Sequence, residues 1–350
     1  MSNQTYSFAK SPITGDVKEM NDFLRDNGKL DEMKSLATPS VFQTLLAISL
    51  NWLVVFLFTG LVCFHSWWWL PVALLVIGSR QRALVVLTHD ASHFLLAKNR
   101  KANDVIANLF LCFPMLKSLK YYRAVHLPHH AYLGDDDRDT DKLHDPEAMK
   151  NGWLAVYLKY LLSYDLWLAN ELKQTFGKIS LRHKCYLALW WGAVLSGLTV
   201  TAGGQYAATF LVLWGLARAI GYHVITTFII ISDHHGLLPG TLVGYTRNHP
   251  TTGFLRWFIH PHNNGLHLAH HLAPSVPFYN LKNAHRLLNG WAKYDAAEQC
   301  ETYFWGNNSV VHSWGKHNRY QSALEILESI GEDSPTAPMQ NITPTIRRVA

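Results

Sequence analysis

Residues 41–64 carry no charged side chain, and this constrains the fold more than any other feature of the chain. About 20 apolar residues in a helix cross a ~30 Å hydrocarbon core. A helix is the form expected there, because lipid offers the backbone no hydrogen-bond partners. A second apolar stretch, 67–87, follows after the short turn Phe64-His65-Ser66, with Arg80 and Arg82 inside it. A third, 185–201, and a fourth, 206–231, repeat the arrangement around Gly203-Gly204. The pattern predicts four membrane-spanning helices in two hairpins. Arg218 and His223 lie inside the fourth span, and ionisable groups at such depth face the protein interior or a cavity. Mean hydropathy near zero conceals all of this, since it averages apolar spans with polar blocks that hold nearly all the charge.

Neither short turn carries Lys or Arg, whereas the block 98–184 holds many. The positive-inside rule therefore places that block and both termini in the cytoplasm, and a bacterial inner membrane suits the chain better than the endoplasmic reticulum. Domain organisation reads as a polar N-terminal segment (1–40), a membrane domain (41–320) with a cytoplasmic cap built from 89–184 and 232–320, and a disordered tail (321–350) rich in Pro and small polar residues. Within the cap, 153–176 reads as an amphipathic helix on the membrane face. Trp67, Trp68 and Trp69 read as an interfacial belt. The net charge of +6 follows from the topological bias and from attraction to anionic headgroups, and no nucleic-acid motif accompanies it. Cys63, Cys112, Cys185 and Cys300 form no Cys-x-x-Cys pair and read as small apolar residues in a reducing compartment.

Three histidine clusters fall on the cytoplasmic side: His89 and His93 in THDASH, His126, His129 and His130 in HLPHH, and His267, His270 and His271 in HLAHH. A helix brings positions i, i+3 and i+4 onto one face, so each cluster predicts two or three ring nitrogens presented in one direction. Histidine is the commonest metal ligand. Eight imidazoles exceed the four of a tetrahedral zinc site and the six of an octahedral ion, so two adjacent metals are the economical reading. Metal-bound histidines donate their second ring N–H to a carboxylate or carbonyl, and Asp90 and Asp137 are close enough in sequence to serve. The run Asp135, Asp136, Asp137, Asp139 and Asp141 otherwise reads as a solvated acidic loop. It is not a calcium loop, since Lys142 and Ala148 stand where Gly and Glu belong.

HDASH, HLPHH and NNGLHLAHH, in this order around two membrane hairpins, resemble the membrane fatty acid desaturase and hydroxylase superfamily, which also includes carotenoid ketolases and hydroxylases. The resemblance covers roughly 84–288. HLPHHAYLGDDDRDTD is similar to the family's second box with its following acidic residues, and LAPSVPFYNLKNAHRLL to the segment after its third. It implies an all-α integral membrane protein whose cytoplasmic helical cap holds two non-haem irons on about nine histidines. The ninth falls in ISDHHG, with His234 as first choice and His235 as second. An asparagine near the metals, acting through water, is implied just before the third box, Asn264 ahead of Asn263. Ala269 stands where relatives often carry Glu, and His267 where members of the subclass that insert bonds on the carboxyl side of an existing double bond often carry Gln.

The implied reaction is O2-dependent desaturation of a lipid acyl chain, with O2 as co-substrate. The chain has no cysteine-rich iron–sulfur pattern, no dinucleotide fingerprint and no fused cytochrome, so electrons come from a separate ferredoxin, rubredoxin or b-type cytochrome. The alternatives are a hydroxylase or ketolase on a fatty acyl, sphingoid or carotenoid substrate, a membrane zinc hydrolase, and a metal-binding transporter.

Overall fold

The computed structural model describes residues 13–135, 137–140, 151–168, 180–237 and 240–316. Asp136, Asp141, Lys142, Ala148, the last third of the expected amphipathic helix (169–176) and the expected tail lie outside the described residues. The fold is mostly helical, and four helices are long and apolar enough to cross a membrane: Val41–His65, Trp67–Ser92, Leu181–Ala202 and Gly204–His234. Ser66 alone separates the first from the second, and Gly203, at φ +91°, the third from the fourth. The second and fourth helices run further than their apolar stretches, to Ser92 and His234. They stay helical past the apolar limit because the polar side chains there are buried against protein.

The second span is the hub. Two-thirds of its apolar window (67%) is buried, against 6% for the third span. The third therefore presents Leu189 and Val200 outward, as a helix facing lipid must. The second and fourth spans meet backbone to backbone at Gly78 and Gly221. A Cβ on Gly78 would overlap the backbone of Gly221 and Tyr222, and one on Gly221 the carbonyl of Leu74. Small residues at a membrane helix contact permit this approach. The fourth span widens there into a π-helical turn, Arg218–Tyr222.

Polar groups at depth turn inward. Arg218 Nη1 donates to the Met115 carbonyl at 2.7 Å, and His223 Nε2 lies 2.9 Å from the Leu161 carbonyl. Arg80 donates to Asn51 Oδ1 (3.2 Å), Ser79 Oγ (2.8 Å) and the Trp257 carbonyl (2.7 Å), and its guanidinium stacks 3.6 Å from the Trp257 ring. Trp67 and Trp68 are exposed beside the Ser66 turn.

Two features concern the polar segments. The N-terminal stretch is folded, with helices Ile13–Asp26 and Leu30–Leu36. Their Met20, Leu24 and Met33 share one apolar core with Leu268, Leu272 and Leu288 around the third box. Asp16 fixes the contact by accepting from the Val243 N–H at 2.9 Å and pairing with Lys293 at 2.6 Å. The expected amphipathic helix is broken. Helix Trp153–Leu161 ends before Ser163, whose hydroxyl accepts from the Leu166 N–H at 3.3 Å to open Tyr164–Leu168, the role a Ser plays at a helix start.

Candidate metal centre

The second span ends in His89 with His93 just past its terminus, and the fourth ends in His234. Two helices that lean together at Gly78 and Gly221 thus deliver histidines at neighbouring ends. Arg247, fully buried, donates to the carbonyls of Ser232 and His235 on either side of His234, satisfying acceptors that a helix C-terminus leaves open. The second box lies on helix Leu119–Ala131, capped by Ser118, and the third on the short helix His267–Leu272. That short helix is tied down by its Ala269 N–H, which donates to Asn248 Oδ1 at 3.3 Å.

The nine histidines form two abutting groups. His89, His93, His126, His130 and His270 make the first, and His129, His234 and His271 the second, the candidate ligand atoms of each lying within 4.8 Å of one another. His267 joins the second group, its Nε2 being 3.1 Å from His234 Nε2 and 3.2 Å from His271 Nε2. The same spacing recurs in the first, where His93 and His126 Nε2 are 3.0 Å apart and His130 and His270 Nε2 are 3.1 Å apart. The groups touch where the His130 and His271 rings stack at 4.2 Å.

Each three-histidine box therefore divides instead of pointing one way. In the second box the i, i+4 pair His126 and His130 serves the first group and His129 the second. In the third box the i, i+4 pair His267 and His271 serves the second group and His270 the first. Residues i and i+4 lie ~40° apart around a helix and the i+3 residue falls to their other side, so one box reaches two centres.

The donor chemistry fits cations. His234 Nδ1 lies 2.8 Å from the Tyr245 carbonyl and His129 Nδ1 2.7 Å from Asp139 Oδ1. Both acceptors require the proton on Nδ1, which leaves the Nε2 lone pair aimed into the group. Ligand nitrogens at right angles about one ion with ~2.1 Å bonds sit roughly 3 Å apart, which matches the observed Nε2 spacings. Burial holds His126, His130, His267, His270 and His271 well below the ordinary imidazole range and His93 at about 3, with neighbouring imidazoles adding to the effect. These rings are neutral at physiological pH, the form that binds metal.

The carboxylate expectations divide. Asp90 is buried, with Oδ1 3.5 Å from His89 Nδ1 and Oδ2 accepting from the Phe278 N–H at 2.8 Å. Asp137 is exposed and touches no box histidine. Asp139 stands in its place, bound to His129 and, through Oδ2, to the Gly134 N–H at 2.8 Å. The turn after Ala131 contains Gly134 at φ +79°, and it folds the chain back so that Asp139, not Asp137, faces the helix. His235 points away from the centre, its ring 6.1 Å from Tyr160. Asn263 is occupied by Arg256 at 3.0 Å and the Phe278 carbonyl at 2.9 Å. Asn264 is half-buried one turn before His267, with its N–H on the Pro261 carbonyl.

Sequence reasoning missed one grouping, Asp233, His249 and His260. The signal was His249 and His260, two of the three histidines in NHPTTGFLRWFIHPHNN. Both ring nitrogens of His249 face carbonyl oxygens, Gly265 at 3.2 Å and Ser232 at 3.3 Å, and its ring lies 4.1 Å from His260. A neutral His249 donates to only one of these carbonyls, and its other ring nitrogen keeps a lone pair.

A family described as fatty acid desaturase matches residues 66–302. Dihydrorhizobitoxine desaturase of Bradyrhizobium elkanii is 30% identical over 66% of this chain and 72% of its own length. An sn-1 oleoyl-lipid 12-desaturase of Anabaena variabilis is 24% identical over 65% and 71%. An sn-1 acyl-lipid omega-3 desaturase (ferredoxin) of a Nostoc species is 26% identical over 70% and 75%. With two histidine-lined groups at the ends of membrane-length helices and a match across most of the described core, the chain belongs to the fatty acid desaturase family of oxidoreductases.

Proposed function

We propose that the chain catalyses O2-dependent desaturation of a lipid acyl chain at a non-haem di-iron centre, using electrons from a separate carrier protein. The observation that carries this reading is the pair of abutting histidine groups with converging Nε2 atoms. His89, His93, His126, His130 and His270 would hold one iron, and His129, His234, His267 and His271 the other, with Asn264 near the centre through water. Two irons bound there would draw from O2 the oxidising power that unactivated methylenes require and that no amino-acid side chain supplies. The overall balance is R–CH2–CH2–R′ + O2 + 2 electrons + 2 protons → R–CH=CH–R′ + 2 H2O.

The protein's own part is positional. Asp139 and the Tyr245 carbonyl hold His129 and His234 with Nε2 deprotonated. Asp90 braces His89 while its other oxygen ties down the chain at Phe278, beyond the third box. The spans pair as two hairpins, which puts every box on one side of the membrane under a helical cap. The basic block 98–184 makes that side cytoplasmic, in a bacterial inner membrane. The donor docks there, and the ferredoxin in the Nostoc relative's name supports a carrier of that kind.

A second reading, desaturation of a substrate that is not a membrane acyl lipid, is favoured by the name of the Bradyrhizobium relative. Product analysis of cells expressing the wild type and His129→Ala decides. A new double bond lost in the variant supports desaturation, and its location in lipid or in a soluble metabolite separates the two readings. An oxygenated product would make the chain a hydroxylase or ketolase.

A further inference from the structure

Three metal-capable side chains from separate elements meet beside the second histidine group. Asp233 comes from the last turn of the fourth span, His249 follows the strand Arg247–Asn248, and His260 follows the helix Leu255–Ile259. One ligand atom of each lies within 4.8 Å of the others, and His249 Nε2 is 3.9 Å from Asp233 Oδ1. The two rings lie 4.1 Å apart, as close as the rings of the histidine groups. Gly265 allows this approach, since a Cβ there would lie 3.2 Å from the Cβ of both histidines.

The ring protons do not satisfy this arrangement. His249 Nδ1 is 3.2 Å from the Gly265 carbonyl and Nε2 is 3.3 Å from the Ser232 carbonyl. A neutral ring has one proton for those two oxygens. With that proton on Nδ1, the Nε2 lone pair confronts the Ser232 carbonyl and the Asp233 carboxylate together, and a cation relieves the conflict. A second proton would relieve it too, but burial and the adjacent Arg247 charge hold this ring down at about 3. His260 is fully buried, its Nδ1 is 3.0 Å from the Tyr303 hydroxyl, and its Nε2 has no hydrogen-bond partner among the described residues. A proton on Nδ1, donated to the Tyr303 oxygen, leaves the Nε2 lone pair for an ion. Asp139 and the Tyr245 carbonyl do the same for His129 and His234.

Two imidazoles and one carboxylate suit Zn2+. Calcium and magnesium take oxygen ligands, and Arg247, which donates to the Ser232 carbonyl, adds a positive charge that favours an ion bound strongly by nitrogen. The Asp233 side chain keeps 17% of its surface exposed, which gives an ion a way in. We propose that Asp233, His249 and His260 form a third metal site, separate from the two histidine groups, that binds one zinc ion with water in the fourth position. The observed separations exceed the ~3.4 Å between ligands of a tetrahedral zinc with ~2.1 Å bonds, so the side chains draw together on loading. The ion ties the end of the fourth span to the segments that lead into the third box. Asp233 Oδ2, 4.0 Å from His267 Nε2, sets it one carboxylate away from the second group. The proposal does not depend on the reaction assigned above.

The test uses untagged, full-length protein expressed with iron and zinc supplied and freed of loosely held metal by gel filtration. Iron and zinc are counted per chain by mass spectrometry in wild type, His260→Leu, His249→Gln and His65→Leu, His65 being an exposed histidine. The expected result is about one zinc more per chain in wild type and His65→Leu than in either site variant, with the iron count equal in all four. X-ray absorption at the zinc edge of the wild type should show nitrogen and oxygen ligands at about 2.0–2.2 Å and no sulfur. A wild type without zinc would overturn the proposal, as would zinc that survives both site variants, zinc lost equally from His65→Leu, or sulfur ligation. Either site variant that folds and keeps its iron is enough for the comparison, and if neither does, the ligation seen in the wild type decides. Iron missing from every preparation would count against the di-iron reading, and a zinc count lowered by one in a site variant would still support this site.

Discussion

Replacing Asp139 by Asn puts the support of the second histidine group to a quantitative test. Asp139 accepts two hydrogen bonds, from His129 Nδ1 at 2.7 Å and from the Gly134 N–H at 2.8 Å. Asparagine keeps one acceptor oxygen and turns the other into an NH2 donor, so one of the two N–H groups must face a donor. If His129 loses its acceptor, nothing fixes the proton on Nδ1, and the tautomer with Nε2 blocked becomes competitive. Losing such a partner of a metal-bound histidine costs about 10- to 100-fold in metal affinity, or roughly 1.4–2.7 kcal/mol. The assay is competition for Fe(II) against a chelator of known affinity, on detergent-purified protein kept anaerobic. Asp137→Asn is the matched control, since its carboxylate is exposed and two residues away. An Asp139→Asn protein that binds iron within twofold of wild type, or an equal loss in Asp137→Asn, would refute the orientation argument.

Other outcomes follow from the same geometry. His234→Ala should lose iron from the second group while His235→Ala keeps full iron content, as metal analysis of the two proteins would show. Arg247→Ala removes the guanidinium donor from the buried Ser232 and His235 carbonyls and should destabilise the chain by about 1–3 kcal/mol, visible as a lower thermal midpoint. Gly221→Leu should prevent the second and fourth spans from meeting and abolish folded yield in detergent, whereas Gly215→Leu, with open space around it, should be tolerated. Burial and the nearby Arg247 charge push His249 down to about 3, below its unfolded value near 6.5. Between those values the unfolded chain binds a proton the folded chain refuses. The His249 contribution to stability is therefore full above about pH 6.5 and falls by roughly 1.4 kcal/mol per pH unit below it, in addition to those of the other buried histidines. His249→Gln should make the overall fall in thermal midpoint from pH 7.5 to 5 shallower by one proton's share, and an unchanged slope would remove His249 as a contributor.

The spans and the histidine-bearing segments were legible in the sequence because each rests on a local rule. A charge-free run of membrane length has few folded forms open to it, and repeated His-x-x-His-His spacing has few uses besides metal. What stayed hidden was set by contacts distant in sequence or by loop geometry. Neither the spacing nor composition shows that His270 joins His89 and His93 while its neighbour His271 joins His234, since that depends on how three helices cross. Asp137 and Asp139 are equivalent as letters, and only the turn at Gly134 chooses between them. The polar N-terminal segment gave no sign of what it packs against because Met20, Leu24 and Met33 find their partners around the third box, some 240 residues along the chain. Helix ends at Ser92 and His234 lay beyond the apolar limit because protein, not lipid, surrounds them.

Metal analysis of purified protein, expressed without supplemented metals, tests the central claim most directly. Two neighbouring groups of neutral histidines predict about two irons per chain, falling in His129→Ala. A single zinc, or no bound metal in a folded preparation, would contradict the di-iron account and the oxidative chemistry built on it.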